Sequence, residues 1–257
     1  MKILAIGDVT SPGGLEHLKN HLWAVRRRFA VDLCVVNGEN ASVISGITPE
    51  GADTLFRAGA DVITGGNHTL RGRGVLPALD DMENLLRPLN LPDEVPGRGY
   101  TVLPAGGCRV LVMNALGQAM MEPVPDNPYA RIDRILREQA GRYDIAVMDI
   151  HAEATGEKAA LAYAYDGVIQ VVFGTHTHVP TADTIILPQG TGYVSDLGMC
   201  GETGGVLGMD PAEVIRRMRT RLPGKFVPAH GPAMADGVLF TVDTAIRRCT
   251  AVERVRF

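Results

Sequence analysis

Cysteine, aromatic residues and net charge are all in short supply. The four cysteines, Cys34, Cys108, Cys200 and Cys249, lie far apart with no C-x-x-C. That excludes a zinc ribbon or dithiol redox motif and reads as inert thiols in a reducing cytosol. Aromatics make up 5%, too few for the stacking platform that single-stranded nucleic acid needs. A net charge of −4 argues against non-specific attraction to nucleic acid or anionic membrane. No window approaches the roughly 20 apolar residues of a membrane span. The chain runs from Met1 straight into the strand-like residues 2–6, too short for a signal-peptide core. A cytoplasmic location is the resulting expectation. No Ser sits in a G-x-S-x-G nucleophile elbow.

What is present is a chain of 257 residues, 46% hydrophobic and 21% charged, the balance of a globular protein with a large core. Strand-like and helix-like runs alternate. Residues 2–6, 31–36 and 61–64 read as strands. Residues 15–29 and 49–58 read as helices between them, the second with Thr48 as N-cap and Pro49 at its first position. That β-α-β-α-β order favours a parallel sheet with covering helices. Residues 74–82 read as a helix inside a segment, 74–98, that is a candidate lid or an ordered loop. Residues 100–103 and 109–114 read as a hairpin around Gly106-Gly107. Helices are predicted over 128–141, 154–165 and 211–222, and strands over 145–150 and 168–173. Residues 184–187 and 191–194 bracket a Pro-Gln-Gly turn, and 238–242 with 251–255 make a closing antiparallel pair. The later half is richer in hairpins and suggests a second, mixed sheet. The fold class is therefore α/β: two mixed β-sheets packed as a sandwich flanked by helices, in a single domain over 1–257. Arg26-Arg-Arg28 reads as a solvated helix end, where cations suit the dipole.

The ends of the strands carry the chemistry. After the first comes Gly7-Asp8. After the second comes Asn37-Gly-Glu39-Asn40, and after the third Gly65-Gly-Asn67-His68. His151 follows residues 145–150, and His176 and His178 follow 168–173. In open α/β sheets ligands bind beyond the carboxyl ends of the strands. Asp8, Glu39, Asn40, Asn67, His68, His151, His176 and His178 should therefore converge on one crevice. Imidazole, carboxylate and amide donors without thiolate suit iron, manganese or zinc better than calcium or magnesium. The set exceeds the three protein ligands of a mononuclear catalytic zinc site, and is large enough for two ions. Asp149 and Glu153 flank His151, and either could orient a ligand imidazole; a solvated acidic pair is the plainer alternative.

The order Gly-Asp, Gly-Glu-Asn, Gly-Asn-His, a later His, then Gly174-Thr-His-Thr-His resembles the calcineurin-like metallophosphoesterases. With Asp149-Ile-His-Ala-Glu and Ser195-Asp-Leu-Gly-Met199 it resembles their YmdB-like bacterial branch. The resemblance implies a four-layer sandwich and a phosphodiesterase acting on 2′,3′-cyclic nucleotides such as 2′,3′-cAMP. Two divalent transition-metal ions are implied, iron or manganese, with zinc as a further candidate. Asp8, Glu39, Asn40 and His178 would hold one ion. Glu39 as a bridge, Asn67, His151 and His176 would hold the other. A hydroxide bridging the ions would attack phosphorus, with His68 as general acid. The implied partner is a small phosphodiester; nucleic acid enters only as the source of an RNA-derived substrate, and composition leaves homo-oligomerisation open. Two departures stand out: the loop after Asp8 is one residue short of the family pattern, and Leu70-Arg71 replace an aromatic and an acidic residue. A di-metal amidohydrolase and a metal-binding regulatory scaffold with little turnover are the rival readings.

Overall fold

A computed structural model describes residues 1–257 apart from 43, 44 and 226. Its strands are β1 (Lys2–Ile6), β2 (Asp8–Val9), β3 (Leu33–Asn37), β4 (Val62–Thr64), β5 (Tyr100–Ala105), β6 (Cys108–Leu116), β7 (Ile145–His151), β8 (Val171–Thr175), β9 (Ile185–Ile186), β10 (Gly192–Val194), β11 (Met199–Glu202), β12 (Ala233–Asp243) and β13 (Arg248–Arg256). Its helices are α1 (Pro12–Phe29), α2 (Pro49–Ala58), α3 (Val75–Asp81), α4 (Pro128–Glu138), α5 (Thr155–Ala164) and α6 (Pro211–Thr220).

Local chemistry starts the helices where the sequence suggested. Thr48 accepts from the Gly51 amide at the head of α2, and Asn127 from that of Tyr129 at the head of α4, each followed by Pro. Two sheets result. One is seven-stranded, ordered β2-β11-β12-β1-β3-β4 with β13 on the other edge of β12; the other is six-stranded, β5-β6-β7-β8-β10-β9. β1, β3 and β4 run parallel, as do β6, β7, β8 and β10.

Alternation along β1 shows how the layers form. Ile3 and Ala5 face the other sheet, packing in one apolar cluster with Val110, Val147 and Phe173. Leu4 and Ile6 face outward, packing with Leu18, Leu22 and Leu55 of α1 and α2. On the far side Met113, Met148 and Ile150 pack with Ile132 and Ile135 of α4 and Leu161 of α5. The order helix, sheet, sheet, helix is the four-layer sandwich expected. Each fully buried Leu, Ile or Phe contributes about 1.5–3 kcal/mol of transfer free energy.

The closing antiparallel pair forms as expected, and β12 also pairs with β1 and β11, which places it in the first sheet. Two expectations need correction. Arg26 is not a solvated helix end; its guanidinium donates to the Gly59 carbonyl and meets Asp61 at 2.8 Å, tying α1 to the loop after α2. The strand predicted over 168–173 begins only at Val171, because Gly167 turns with positive φ and leaves Val168 exposed. Residues 74–98 carry Leu85 in the core under α1, Leu86 in the core between the sheets and Leu89 in the core under α4, so the segment crosses from one sheet to the other. Among the described residues no helix is long and apolar enough to cross a membrane.

Candidate metal centre

The carboxyl ends of β1, β3, β4, β7 and β8 open onto one cleft where the two sheets meet. At Gly7 a β-carbon would collide with the Gly198 carbonyl. Only glycine therefore lets β1 turn tightly enough to start β2 at Asp8, which pairs in parallel with Met199 of β11. His151 is the last residue of β7, and Thr175 the last of β8, with His176 and His178 just beyond.

All eight predicted residues lie in this cleft. At one pole His151 Nε2 stands 3.1 Å from Asn67 Oδ1, 3.1 Å from His176 Nδ1 and 3.4 Å from Glu39 Oε2. At the other, Asp8 Oδ1 lies 3.7 Å from His178 Nε2 and His68 Nδ1 lies 2.9 Å from Asn40 Oδ1. Glu39 reaches both poles, since its Oε1 accepts from the Asn40 amide and lies 3.2 Å from His68 Nδ1.

The protonation pattern follows from the surroundings. The Thr175 hydroxyl donates to Asp149 Oδ1 at 2.7 Å, so toward His151 Nδ1, 2.9 Å away, it can only accept. His151 thus carries its proton on Nδ1 and presents a lone pair at Nε2. Glu153 Oε2 sits 3.1 Å from His176 Nε2 and accepts that nitrogen's proton, leaving Nδ1 bare. Two imidazole lone pairs, an amide oxygen and a carboxylate oxygen then face one another with no hydrogen between them. Asp8 Oδ1, fully buried, has no hydrogen-bond partner among the described residues. A β-carbon at Gly66 would fill the space against Glu39 Oε2 and His151 Nε2. Acceptors crowded around a space kept clear by glycine fit a cation, and the donor types fit a divalent transition metal.

The electrostatics agree. Burial alone would raise the pKa values of Asp8 and Glu39, yet both are lowered by the histidines around them: His178 and His151 at Asp8, His151 and His68 at Glu39. Burial pulls His151 down. His178 is also strongly desolvated, but the carboxylates of Asp8, Glu39 and Asp196 together outweigh this and raise it.

The groups behind the donors include several that the sequence did not single out. Asp149 is not a solvated acid. It is fully buried, burial pushes its pKa up to about 7, and it accepts from Thr64 Oγ1 at 2.6 Å, Thr175 Oγ1 at 2.7 Å and Asn37 Nδ2 at 3.0 Å. Through Thr175 it fixes the His151 ring, while Glu153 fixes His176. Lys158 and Asp196 form a fully buried ion pair at 2.9 Å. Lys158 also donates to the Thr175 carbonyl at 2.8 Å, and Asp196 Oδ2 accepts from the Thr177 amide and hydroxyl. His176 and His178 stand at φ 101° and 64°, left-handed conformations that cost on the order of 1–3 kcal/mol each for such residues. The Lys158–Asp196 pair holds the turn that imposes them. Lys158 had one signal available: it sits three residues before Leu161, on the apolar face of α5.

His68, with 24% of its side chain exposed, stands at the rim. Its amide donates to Glu39 Oε2 at 2.9 Å. It opens into a cavity of about 460 Å³, lined by Asn40, Arg71 and His178 on one side and Leu207, Met209 and Met218 on the other. Leu70 and Arg71 border a smaller cavity of about 180 Å³ beside Asn67. The short loop after Asp8 is closed by Ser11, which caps α1 at the Gly14 amide and donates to Glu202 Oε2.

Comparison with known proteins gives a consistent result. A family model described as YmdB-like protein matches residues 4–255. The chain is 39% identical to a 2′,3′-cyclic-nucleotide 2′-phosphodiesterase of Bacillus subtilis strain 168, over 99% of this chain and 96% of the relative. It superposes with TM-score 0.93 on the crystal structure of a hypothetical protein from Thermus thermophilus, at 36% identity, covering 100% and 99% of the two chains. It superposes with the same TM-score on a crystal structure described as a novel phosphatase from Mycoplasma pneumoniae, at 32% identity, covering 100% and 93%.

Proposed function

The chain belongs to the YmdB-like family of metallophosphoesterases, and from that premise we propose that it is a di-metal phosphodiesterase that opens 2′,3′-cyclic nucleotides such as 2′,3′-cAMP. The observation that carries this reading is the acceptor-only cluster of Glu39, Asn67, His151 and His176, beside the unpartnered Asp8 oxygen and next to a histidine at the rim of a cavity. Asp8, Glu39, Asn40 and His178 would hold one divalent ion, and Glu39, Asn67, His151 and His176 the other. Iron or manganese suits these donors, with zinc a further candidate. Such ions supply Lewis-acid stabilisation of a phosphoryl group and activation of water near neutral pH.

The protein's own groups do the rest. Asn67 orients the phosphate at its pole. Asn40 Oδ1 accepts the Nδ1 proton of His68; in the imidazolium form the second proton, on Nε2, is the one that His68 delivers to the departing 2′-oxygen, leaving a neutral ring. The product is the 3′-monophosphate. Leu207, Met209 and Met218 offer an apolar wall to the base. The reading includes a cytoplasmic location, supported by four unpaired cysteines.

The test is hydrolysis of 2′,3′-cAMP by metal-replete protein, alongside a bis-aryl phosphodiester and an aryl amide, with His68→Ala as control. Release of 3′-AMP, lost in the variant while both ions stay bound, is the expected result. Cleavage of the amide alone, or undiminished turnover by the variant, would overturn the reading.

A further inference from the structure

Arg71 follows His68 by three residues, at the end of a short 3-10 turn over Thr69–Arg71, and its amide donates to the His68 carbonyl at 2.8 Å. Three residues per turn sets positions i and i+3 over one another, so Arg71 leaves the turn on the side that carries His68. The turn itself is fixed. The Thr69 hydroxyl accepts from the Gly66 amide and donates to the Gly66 carbonyl, and a β-carbon at Gly72 would collide with the Ile47 carbonyl. The root of Arg71 is thus tied to the segment that presents Asn67 and His68. Yet the residue is exposed and, among the described residues, its guanidinium has neither a hydrogen bond nor an ion pair. Arg71 lines the 460 Å³ cavity together with His68 and His178, and the 180 Å³ cavity together with Asn67. Among the described residues no other arginine or lysine lines either cavity, Arg73 included. The smaller cavity is otherwise walled by Gly66 and the apolar Leu70, Leu91, Leu116 and Pro123. Asn67 turns Oδ1 to His151 Nε2, which leaves Nδ2 without a partner among the described residues. Two unpartnered donors, one of them charged, beside a small space with apolar walls suit an anionic oxygen.

We propose, resting on the phosphodiesterase reading, that Arg71 is a catalytic residue: its guanidinium and Asn67 Nδ2 hold a non-bridging oxygen of the scissile phosphoryl group. The charge balance says when this contact matters. A cyclic diester carries one negative charge. Hydroxide brings a second as the new P–O bond forms, so the transition state carries two. The bond to the 2′-oxygen breaks, and that oxygen takes the His68 proton. The 3′-monophosphate, once its own proton is lost, ends with about −1.5 to −2 at pH 7. A cation at this place therefore gains less with the substrate than with the transition state and the product. Arg71 raises the rate of ring opening and, by the same contact, holds the product. The planar fork of an arginine suits a phosphoryl group in a way that a lysine ammonium matches only in charge.

The experiment compares wild type, R71Q and R71K as metal-replete proteins. It measures kcat and KM for 2′,3′-cAMP, the inhibition constant of 3′-AMP, and metal content by elemental analysis. R71Q should lower kcat by about 10–100-fold, the range of a lost hydrogen bond to a charged group, while KM stays within about twofold. Inhibition by 3′-AMP should weaken about tenfold in the same variant, with metal content unchanged. R71K should recover part of both losses. An R71Q protein that keeps its kcat and its 3′-AMP affinity would overturn the assignment while leaving cyclic-nucleotide hydrolysis standing. So would a rise in KM alone, or a loss of activity that tracks a loss of metal. If wild type cleaved no cyclic nucleotide, the function reading would fail, and calorimetric titration of metal-loaded protein with inorganic phosphate would still decide. Weaker phosphate binding in R71Q than in wild type supports the contact; equal affinity contradicts it.

Discussion

On the floor of the cleft, Asn37, Thr64, Asp149 and Thr175 are fully buried and hydrogen-bonded to one another. At its mouth, α6 buries none of its ten residues. The floor lies where the parallel strands of both sheets end, and its side chains have no freedom to lose. The mouth hangs on the loops on either side of α6 and on the Asp210 cap that accepts from the Glu213 amide. The difference separates two tasks. Groups that hold ions and a proton must be fixed to fractions of an ångström, and buried networks do that. Groups that meet a variable ligand need exposure and reach.

Substitutions should affect floor and mouth differently. The largest effect is expected at the rim, where His68→Ala should lower kcat by about 10²–10⁴-fold, the contribution of a positioned acid, with metal content by elemental analysis unchanged. Next is Lys158→Met, which leaves Asp196 buried and uncompensated. Chemical denaturation should register a loss of about 3–5 kcal/mol, and Lys158→Met with Asp196→Leu should recover part of it. Asp149→Asn disturbs the hydrogen bond that fixes Thr175 and, through it, His151. Metal affinity by competition with a chelator should fall about 10–100-fold, with little change in the fold by circular dichroism. The smallest effect belongs to the mouth: Met218→Ser should shift stability by no more than about 0.5 kcal/mol and raise KM with kcat unchanged. A stability loss at Met218 as large as that at Lys158 would erase the distinction between floor and mouth.

The sequence made the donors legible because each follows an apolar run: His151 after residues 145–150, Asn67 and His68 after 61–64. Strand ends converge by the rules of α/β folds, so eight residues could be named before any coordinates. The groups behind them were harder. Thr175 looks like a spacer between Gly174 and His176, and its role exists only because Asp149 approaches from the neighbouring strand β7. Lys158 and Asp196 are 38 residues apart, and nothing local says that one will be buried against the other. Strands β2 and β11 escaped notice because two-residue pairing and a Met-Cys-Gly-Glu run carry no alternation. The place of β12 in the first sheet was not legible, because a hairpin pattern tells which strands pair with each other, not which sheet they join.

A di-metal centre of this kind requires two ions to share Glu39. Anomalous diffraction from crystals of manganese-loaded protein tests it most directly. Two peaks are expected, one among Glu39, Asn67, His151 and His176 and one among Asp8, Glu39, Asn40 and His178. A single peak, or peaks that leave Glu39 untouched, would contradict it.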